Sequence, residues 1–162
     1  MNKKIVGLVL VGVLALGMIG CSNSKEENKA NENTTKEEVS SKKDIPSGLD
    51  KEIGNGTIVL STTGGTTENG NTPVVFVGQD TLLEQIGLSA ENFDGSKLSY
   101  VYIDGMINTK EQLGEMTQTT ITLQDNSLKE GKHKVEVVQY DNDEQTGNPV
   151  TYKVATYEVK NK

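Results

Sequence analysis

The residues best able to do chemistry in this chain are one cysteine and one histidine. Cys21 is the only thiol among 162 residues, and His133 is the only imidazole. A lone cysteine excludes an intramolecular disulfide. A metal site needs several convergent nitrogen or sulfur ligands, which two such residues do not supply. We therefore expect no metal and no cofactor, and we expect His133 to be a structural, partly buried residue.

Cys21 stands at the end of a stretch that is typical of a secretory signal peptide. Lys3 and Lys4 form a positive start, and residues 5–20 are uncharged and almost wholly apolar. At about 1.5 Å per residue this stretch would make roughly 24 Å of helix, less than the roughly 30 Å of a hydrocarbon core. The pattern predicts a cleaved signal peptide over residues 1–20. An uncleaved anchor with an incidental cysteine is the alternative.

Residues 16–21, Leu-Gly-Met-Ile-Gly-Cys, resemble the lipobox of bacterial lipoproteins. The resemblance implies that the sulfur of Cys21 receives a diacylglyceryl group and that a dedicated peptidase recognises Met18, Ile19 and Gly20 and cuts before Cys21. Gly20 matches the small residue required there, whereas Met18 departs from the usual leucine. One acyl chain binds a membrane only marginally, and two hold a protein stably. The implied location is the extracytoplasmic face of the cell membrane, with the membrane as a partner through the lipid anchor.

Residues 21–48 read as the lipidated cysteine followed by a disordered polar tether. Val39 and Ile45 are the only large aliphatic side chains of this stretch, so it cannot bury enough apolar surface to offset the entropy of ordering. A coil of this length spans roughly 30 Å. Residues 45–48, Ile-Pro-Ser-Gly, are typical of a turn, and we expect the folded domain to occupy residues 49–162.

The charge pattern of the chain excludes nucleic acid as a partner. Lysine accounts for all 16 basic residues, against 23 acidic residues, and the net charge is -7. Neutralising phosphates needs clustered positive charge, and arginine is the usual residue for a bidentate grip. The lysine-, asparagine- and glutamate-rich composition also indicates an AT-rich Gram-positive source.

From Thr57 onward, short alternating apolar runs are separated by turn residues, a pattern that favours β-strands. Asp104-Gly105 is a strong hairpin signal. Capping boxes at Thr81 and Thr109 predict two short helical connectors over residues 81–87 and 109–114. The pattern predicts an antiparallel sandwich or barrel with about seven strands: 57–62, 74–77, 97–103, 106–108, 119–123, 132–140 and 151–160.

Two segments resemble strands of bacterial immunoglobulin-like domains. Residues 128–141, with a leucine and a glycine before an alternating strand, are similar to the late strand, and residues 100–105 are similar to the third strand and its turn. The resemblance spans residues 57–159, although the inter-sheet cysteine pair and the core tryptophan of that family are missing. It implies a small all-β, antiparallel immunoglobulin-like β-sandwich, with His133 at the corner position. Another small sandwich or barrel is the alternative.

Two loops carry residues that could bind ions. Residues 141–147 have closely spaced oxygen donors, as calcium loops do, but no closing glutamate or sixth-position glycine, so we expect an acidic hairpin loop. Residues 64–71 are glycine-rich without a following Gly-Lys-Ser/Thr, so we expect a flexible inter-strand loop rather than a phosphate site. No nucleophile and base form a recognisable pattern, and we expect the protein not to be an enzyme.

Tyrosines are the residues most suggestive of recognition. All five fall on the third, penultimate and last predicted strands, which pair in one sheet of an immunoglobulin-like sandwich. Tyrosine is enriched at recognition surfaces, although it also favours strands for packing alone. Alternation places Tyr140 on the wet, solvent-facing side of its strand with Val138 and Glu136. It also predicts opposite parity for Tyr152 and Tyr157, so these two side chains point to opposite faces of the last strand. The candidate binding face consists of Tyr100, Tyr102 and Tyr140.

These observations favour a membrane-anchored lipoprotein whose domain is a non-catalytic interaction module. We expect a monomer with a protein or cell-wall partner. A small solute- or ion-binding lipoprotein serving a transporter is the second hypothesis, and a cell-wall hydrolase is the third. A deep pocket between the sheets would favour solute binding, whereas a solid sandwich would favour the interaction module.

Overall fold

The computed structural model describes residues 44–162; the predicted signal peptide, the lipobox and most of the tether lie outside the described residues. Across the described range, no helix has the length and apolar character needed to cross a membrane. Its nine strands are β1 (Thr57–Thr62), β2 (Gly65–Thr66), β3 (Val74–Val77), β4 (Leu83–Glu91), β5 (Ser99–Ile103), β6 (Met106–Glu111), β7 (Met116–Gln124), β8 (Gly131–Tyr140) and β9 (Pro149–Asn161).

The strands form two sheets packed face to face. One sheet has four strands in the order β2-β1-β4-β7, and the other has five in the order β3-β9-β8-β5-β6. Neighbouring strands pair antiparallel except for β3, which runs parallel to β9. The prediction of an all-β immunoglobulin-like sandwich is confirmed, and the third, penultimate and last predicted strands do lie side by side as β5, β8 and β9. The sheets contain nine strands rather than about seven because one predicted helix is a strand and β2 adds a two-residue pairing.

Apolar side chains from the facing sides of both sheets fill the space between them. Alternation along each strand selects these residues, because successive side chains point to opposite faces. The core includes Leu60 of β1, Leu88 of β4, Val101 of β5, Val137 of β8 and Tyr157 of β9, none of which is exposed to solvent. The centre of the sandwich is therefore solid.

The helical prediction for residues 81–87 is wrong. Residues 83–91 form β4, which pairs with β1 on one side and β7 on the other. Ile86, Leu88 and Ala90 alternate into the core, a two-residue period that a one- or two-turn helix could not use. Pairing on both edges outweighs the local capping signal at Thr81, whose hydroxyl instead accepts a hydrogen bond from the Gly78 N–H at 2.9 Å.

The second predicted helix, over residues 109–114, is also wrong, because β6 continues to Glu111. The Asp104-Gly105 turn before β6 is confirmed. Both residues have positive φ, 53° and 83°, as a two-residue hairpin turn with the twist of the flanking strands requires. The turn aims Asp104 back at β8, where its N–H donates to the Lys134 carbonyl at 2.9 Å.

Candidate functional site

Four tyrosines lie together on the outer side of the five-stranded sheet. Tyr100 and Tyr102 come from β5, Tyr140 from β8 and Tyr152 from β9, and they form a second apolar cluster with Val138. We call these four residues the tyrosine face. Tyr157 points the other way and belongs to the core between the sheets, so the predicted opposite parity of the last two tyrosines is confirmed.

The tyrosine face is tied together by its rings and hydroxyls. The Tyr102 and Tyr140 hydroxyl oxygens lie 3.0 Å apart, and the rings of Tyr100 and Tyr140 meet edge-to-face with centroids 5.3 Å apart. The hairpin loop between β8 and β9 adds two contacts. Gln145 donates to the Tyr102 hydroxyl at 2.8 Å, and the Tyr100 hydroxyl donates to the Asp143 carbonyl at 2.9 Å.

The expectation that Tyr140 lies on a wet face is wrong. None of the four side chains is more than 4% exposed, so Tyr100, Tyr102 and Tyr140 come together as predicted but lie below the surface. Burial raises the pKa of the Tyr140 hydroxyl above its ordinary range, and the hydrogen bond with Tyr102 raises it further. A sheet with one face on the core normally exposes its other face; here additional chain covers it.

Part of the cover is the segment over residues 44–53, which we call the strap. At its start, the N–H groups of Asp44 and Ile45 both donate to the Gly105 carbonyl, at 2.9 and 3.0 Å. The Asp44 carboxylate also accepts from the Ile107 N–H at 3.2 Å. At its end, Ile53 exchanges two backbone hydrogen bonds of 3.0 Å with Tyr152. The strap thus runs across the outer face from the β5–β6 turn to the β9 edge.

Two aliphatic side chains of the strap pack on the tyrosine face. Ile45 and Leu49 are partly buried against it, and the turn predicted between them is present, with Gly48 at a φ of 88°. The sequence predicts a disordered tether up to residue 48, but Asp44 and Ile45 already donate hydrogen bonds to the Gly105 carbonyl. The physical reason is that the assembled sheet offers an apolar surface, which Ile45 and Leu49 cover.

A buried carboxylate lies beside the tyrosine face. Glu136 on β8 is only 3% exposed. Its Oε1 accepts from the Tyr152 hydroxyl at 2.7 Å and lies 2.6 Å from the Lys134 Nζ. Burial, and then the hydrogen bond to this carboxylate, raise the pKa of Tyr152 above its ordinary range. A cavity of about 430 Å³ separates this carboxylate from the bend of the strap.

His133 is buried at the other end of β8 and is fully used by the fold. Its Nδ1 lies 2.7 Å from the Asp104 carboxylate, and its Nε2 lies 2.7 Å from the Lys129 carbonyl. The ring stacks on Tyr157 with centroids 5.1 Å apart. These contacts agree with the expected structural role of a histidine that packs within the fold. Both ring nitrogens therefore contact oxygen atoms of the chain.

The acidic loop over residues 141–147 is a hairpin loop, as predicted. Both carboxylate oxygens of Asp141 accept hydrogen bonds from Asn148, at 2.9 and 3.0 Å. The side-chain bond and then the backbone bond from Asn148 lower the pKa of Asp141. Over residues 44–162, no group of three or more His, Cys, Asp or Glu side chains is arranged to hold a metal ion.

Sequence reasoning missed the strap and Glu136. The one sequence feature that indicates packing of this polar stretch is a pair of aliphatic residues on either side of Pro-Ser-Gly, Ile45 and Leu49. Glu136 lies in an alternating strand where a charged side chain normally marks the solvated face. Nothing in the local pattern reveals that the solvated face is covered.

The predicted lipidation site Cys21 and the predicted peptidase recognition residues Met18, Ile19 and Gly20 lie outside the described residues. No protein-family model matches the sequence, and no curated protein is detectably similar to it.

Solved structures include similar chains. Fibronectin(III)-like modules of Clostridium thermocellum CbhA are 16% identical with a TM-score of 0.37, over 57% of this chain and 93% of theirs. The CARDB domain of PF1109 from Pyrococcus furiosus is 16% identical with a TM-score of 0.40, over 67% of this chain and 97% of its own. The description of the domain as an immunoglobulin-like β-sandwich rests on its strand order and pairing.

Proposed function

We propose that the protein is a membrane-anchored extracytoplasmic lipoprotein whose immunoglobulin-like domain is a non-catalytic interaction module. The observation that carries the anchor is the Gly20-Cys21 pair at the end of an uncharged apolar run, followed at once by polar Ser22. A diacylglyceryl group on Cys21 would hold the domain at the membrane without a protein span.

The geometry of the domain supports interaction over catalysis. His133 is the one imidazole, and both of its ring nitrogens are engaged internally, so it has no free nitrogen to act as a base. The carboxylate of Asp141 is occupied in the same way by Asn148. Neither group is available to a substrate.

The alternative of solute binding for a transporter needs a pocket inside the domain. The space between the sheets is filled by buried side chains such as Leu88 and Val137. The cavity of about 430 Å³ lies outside the sandwich, beneath the strap. A solid sandwich with an external face fits a module that binds through its surface.

The anchor is tested by replacing Cys21 with serine in the full chain. We expect loss of acylation by mass spectrometry, accumulation of the uncleaved chain and release from the washed membrane fraction. Ser22→Ala is the matched control, since it changes the adjacent hydroxyl and leaves the sulfur in place. Membrane retention of the Cys21→Ser variant, equal to that of the native chain, would remove the proposal about location.

The interaction role is tested by cross-linking on intact cells. A photoreactive side chain is introduced at an exposed position on each sheet, Thr120 on β7 and Lys132 on β8. A discrete adduct from one position, but not from the other, supports a defined interaction surface. Equal, diffuse labelling from both positions argues against one.

A further inference from the structure

We propose that the tyrosine face is a docking site for an extended peptide segment of a partner protein, and that the strap occupies this site in cis. This inference rests on the proposed interaction function, because it names the surface and the class of partner. The strap is the template for what the site accepts, since it is the segment that the described structure shows seated there.

The chemistry of the face is that of a recognition surface. Its four tyrosines present large rigid rings with polar tips, which give contact area at a low cost in entropy. Lys110 from the neighbouring β6 lies over the Tyr100 ring, with its Nζ 4.8 Å from the centroid. A face of this kind on the outside of a sandwich sheet needs a cover, and the strap contributes Ile45 and Leu49 to it.

The strap is held at its ends and loosely in the middle. Among the described residues, no backbone hydrogen bond joins residues 46–51 to the sheet. Ile45 and Leu49 are only partly buried, and the chain turns between them at Gly48, which has a φ of 88°. The resulting cavity of about 430 Å³ reaches down to Lys134 and Glu136. A segment that ran straight across could fill this space, so the strap is a replaceable occupant.

The edge of β9 gives the docking site its direction. Among the described strands, β3 pairs with β9 only over residues 158–161, so within residues 44–162 the strap is the one segment that pairs with the earlier half of this edge. Ile53 pairs with Tyr152, and the Glu52 carboxylate accepts from the Val154 N–H at 3.1 Å. A free strand edge beside an apolar face is the arrangement used in β-strand addition. A partner segment can take over these bonds in register.

The contacts of the strap define the chemistry of the partner. Glu52 also pairs with Lys153 at 3.3 Å, while Asp44 accepts from the β5–β6 turn region. The partner segment therefore carries an acidic residue at each end and two aliphatic side chains between them. The backbone bonds to the β9 edge supply affinity, and the aliphatic pair on the tyrosine rings supplies selectivity.

The test uses a synthetic peptide with the sequence of residues 44–53 and the full chain in detergent micelles. The strap is loosened by Ile45→Ser with Leu49→Ser, two partly buried positions whose change leaves the sandwich core untouched. The matched control is Leu82→Ser with Leu83→Ser, two aliphatics that are 85% and 57% exposed. Tyrosine fluorescence reports on the site directly, because the chain has no tryptophan.

We expect saturable binding of the peptide to the loosened variant. Binding should be at least about ten-fold weaker to the native chain and to the control, because a tethered segment competes at roughly millimolar effective concentration. A scrambled peptide should not bind. In native protein, the amide of Ile53 should exchange with deuterium faster when peptide is added, because the displaced strap loses its hydrogen bond to the Tyr152 carbonyl. This exchange reads out displacement without any mutation.

Equal affinity of the peptide for the loosened and native chains, or no saturable binding to either, would overturn the docking site. Self-association of the loosened variant mixed with native chain, seen by sedimentation, would make a second copy the occupant and overturn assignment to a partner protein. Neither outcome changes the cross-linking result from Thr120 and Lys132 or the Cys21 fractionation result. A failed docking site is therefore distinguishable from failure of the proposed function.

Discussion

Replacing Tyr152 with phenylalanine removes one buried hydroxyl and keeps the ring. That hydroxyl donates to the Glu136 carboxylate at 2.7 Å, and the carboxylate is only 3% exposed. Hydrogen bonds to charged groups contribute about 1.5–3 kcal/mol, and a buried charge that loses a donor costs the upper part of that range. We therefore expect Tyr152→Phe to lower the free energy of unfolding by about 2–3 kcal/mol.

The matched control is Tyr102→Phe, which removes a hydroxyl bonded only to neutral groups, the Tyr140 hydroxyl at 3.0 Å and the Gln145 amide at 2.8 Å. Neutral hydrogen bonds contribute about 0.5–1.5 kcal/mol. Both variants are unfolded in urea at pH 7 and followed by far-ultraviolet circular dichroism. The slope of the free energy of unfolding against urea concentration should be unchanged, since both variants bury the same area on folding.

A double-mutant cycle isolates the interaction between the Tyr152 hydroxyl and the Glu136 carboxylate. Glu136→Gln keeps an acceptor but removes the charge, so Tyr152→Phe should cost less in that background than in the native one, by about 1 kcal/mol. The free energy of unfolding of Tyr152→Phe could lie within about 0.5 kcal/mol of the native value, or fall no further than that of Tyr102→Phe. Either result would show that the charge-assisted bond is not made in solution and would refute this reasoning.

The other predictions concern the histidine, the tyrosines, the loop and the core. His133→Ala should lower stability by about 2–4 kcal/mol in urea unfolding, because it removes two hydrogen bonds and a stacked ring; a change below about 1 kcal/mol would contradict the structural role. Asp141 has a lowered pKa in the folded state, so its contribution to stability is present above its unfolded pKa and is lost as pH falls through the folded pKa. Asp141→Asn should therefore reduce the fall in the free energy of unfolding between neutral and acid pH. An unchanged fall would contradict this prediction. Leu88→Ala should cost about 2–5 kcal/mol in thermal and urea unfolding, since Leu88 is fully buried, and a smaller loss would show that the core is not closely packed there. Burial raises the pKa of three tyrosine hydroxyls in the folded state, so the stability they contribute is present below the unfolded pKa of about 10 and is lost as pH rises through the alkaline range. Ultraviolet titration should show these three ionising only when the protein unfolds. Ionisation of all five tyrosines before unfolding would refute this prediction. The three are Tyr140, Tyr152 and Tyr157.

Local pattern was enough for the strands that have a clear alternation and a turn beside them. β1 and β3 match the predicted ranges, and the Asp104-Gly105 turn forms where the dipeptide indicates it. Local pattern was misleading for β4 and β6, where capping signals favoured helix. A capping box stabilises a helix by a few hydrogen bonds at one end, whereas β4 pairs with a neighbour along both edges and buries three side chains.

The candidate binding face was likewise predicted in part, in its residues but not in its burial. Strand order brought Tyr100, Tyr102 and Tyr140 together as expected, because sheet pairing follows from the arrangement of the strands. Their burial did not follow from it, because the strap that covers them begins at Asp44, distant in sequence from β5 and β8. Alternation identifies two faces of a strand but does not say what packs on each.

The sequence by itself determined the properties that depend on neighbouring residues: the alternation of most strands and the tight turn before β6. Lipid attachment at Cys21 stays a prediction from the residues beside it. Only the tertiary structure decided which face of the β5-β8-β9 sheet is covered, and by which segment. Contact between the strap and the tyrosine face joins parts of the chain separated by dozens of residues. Such a contact is set by the shape and apolar area of the assembled sheet, which no local window of sequence contains.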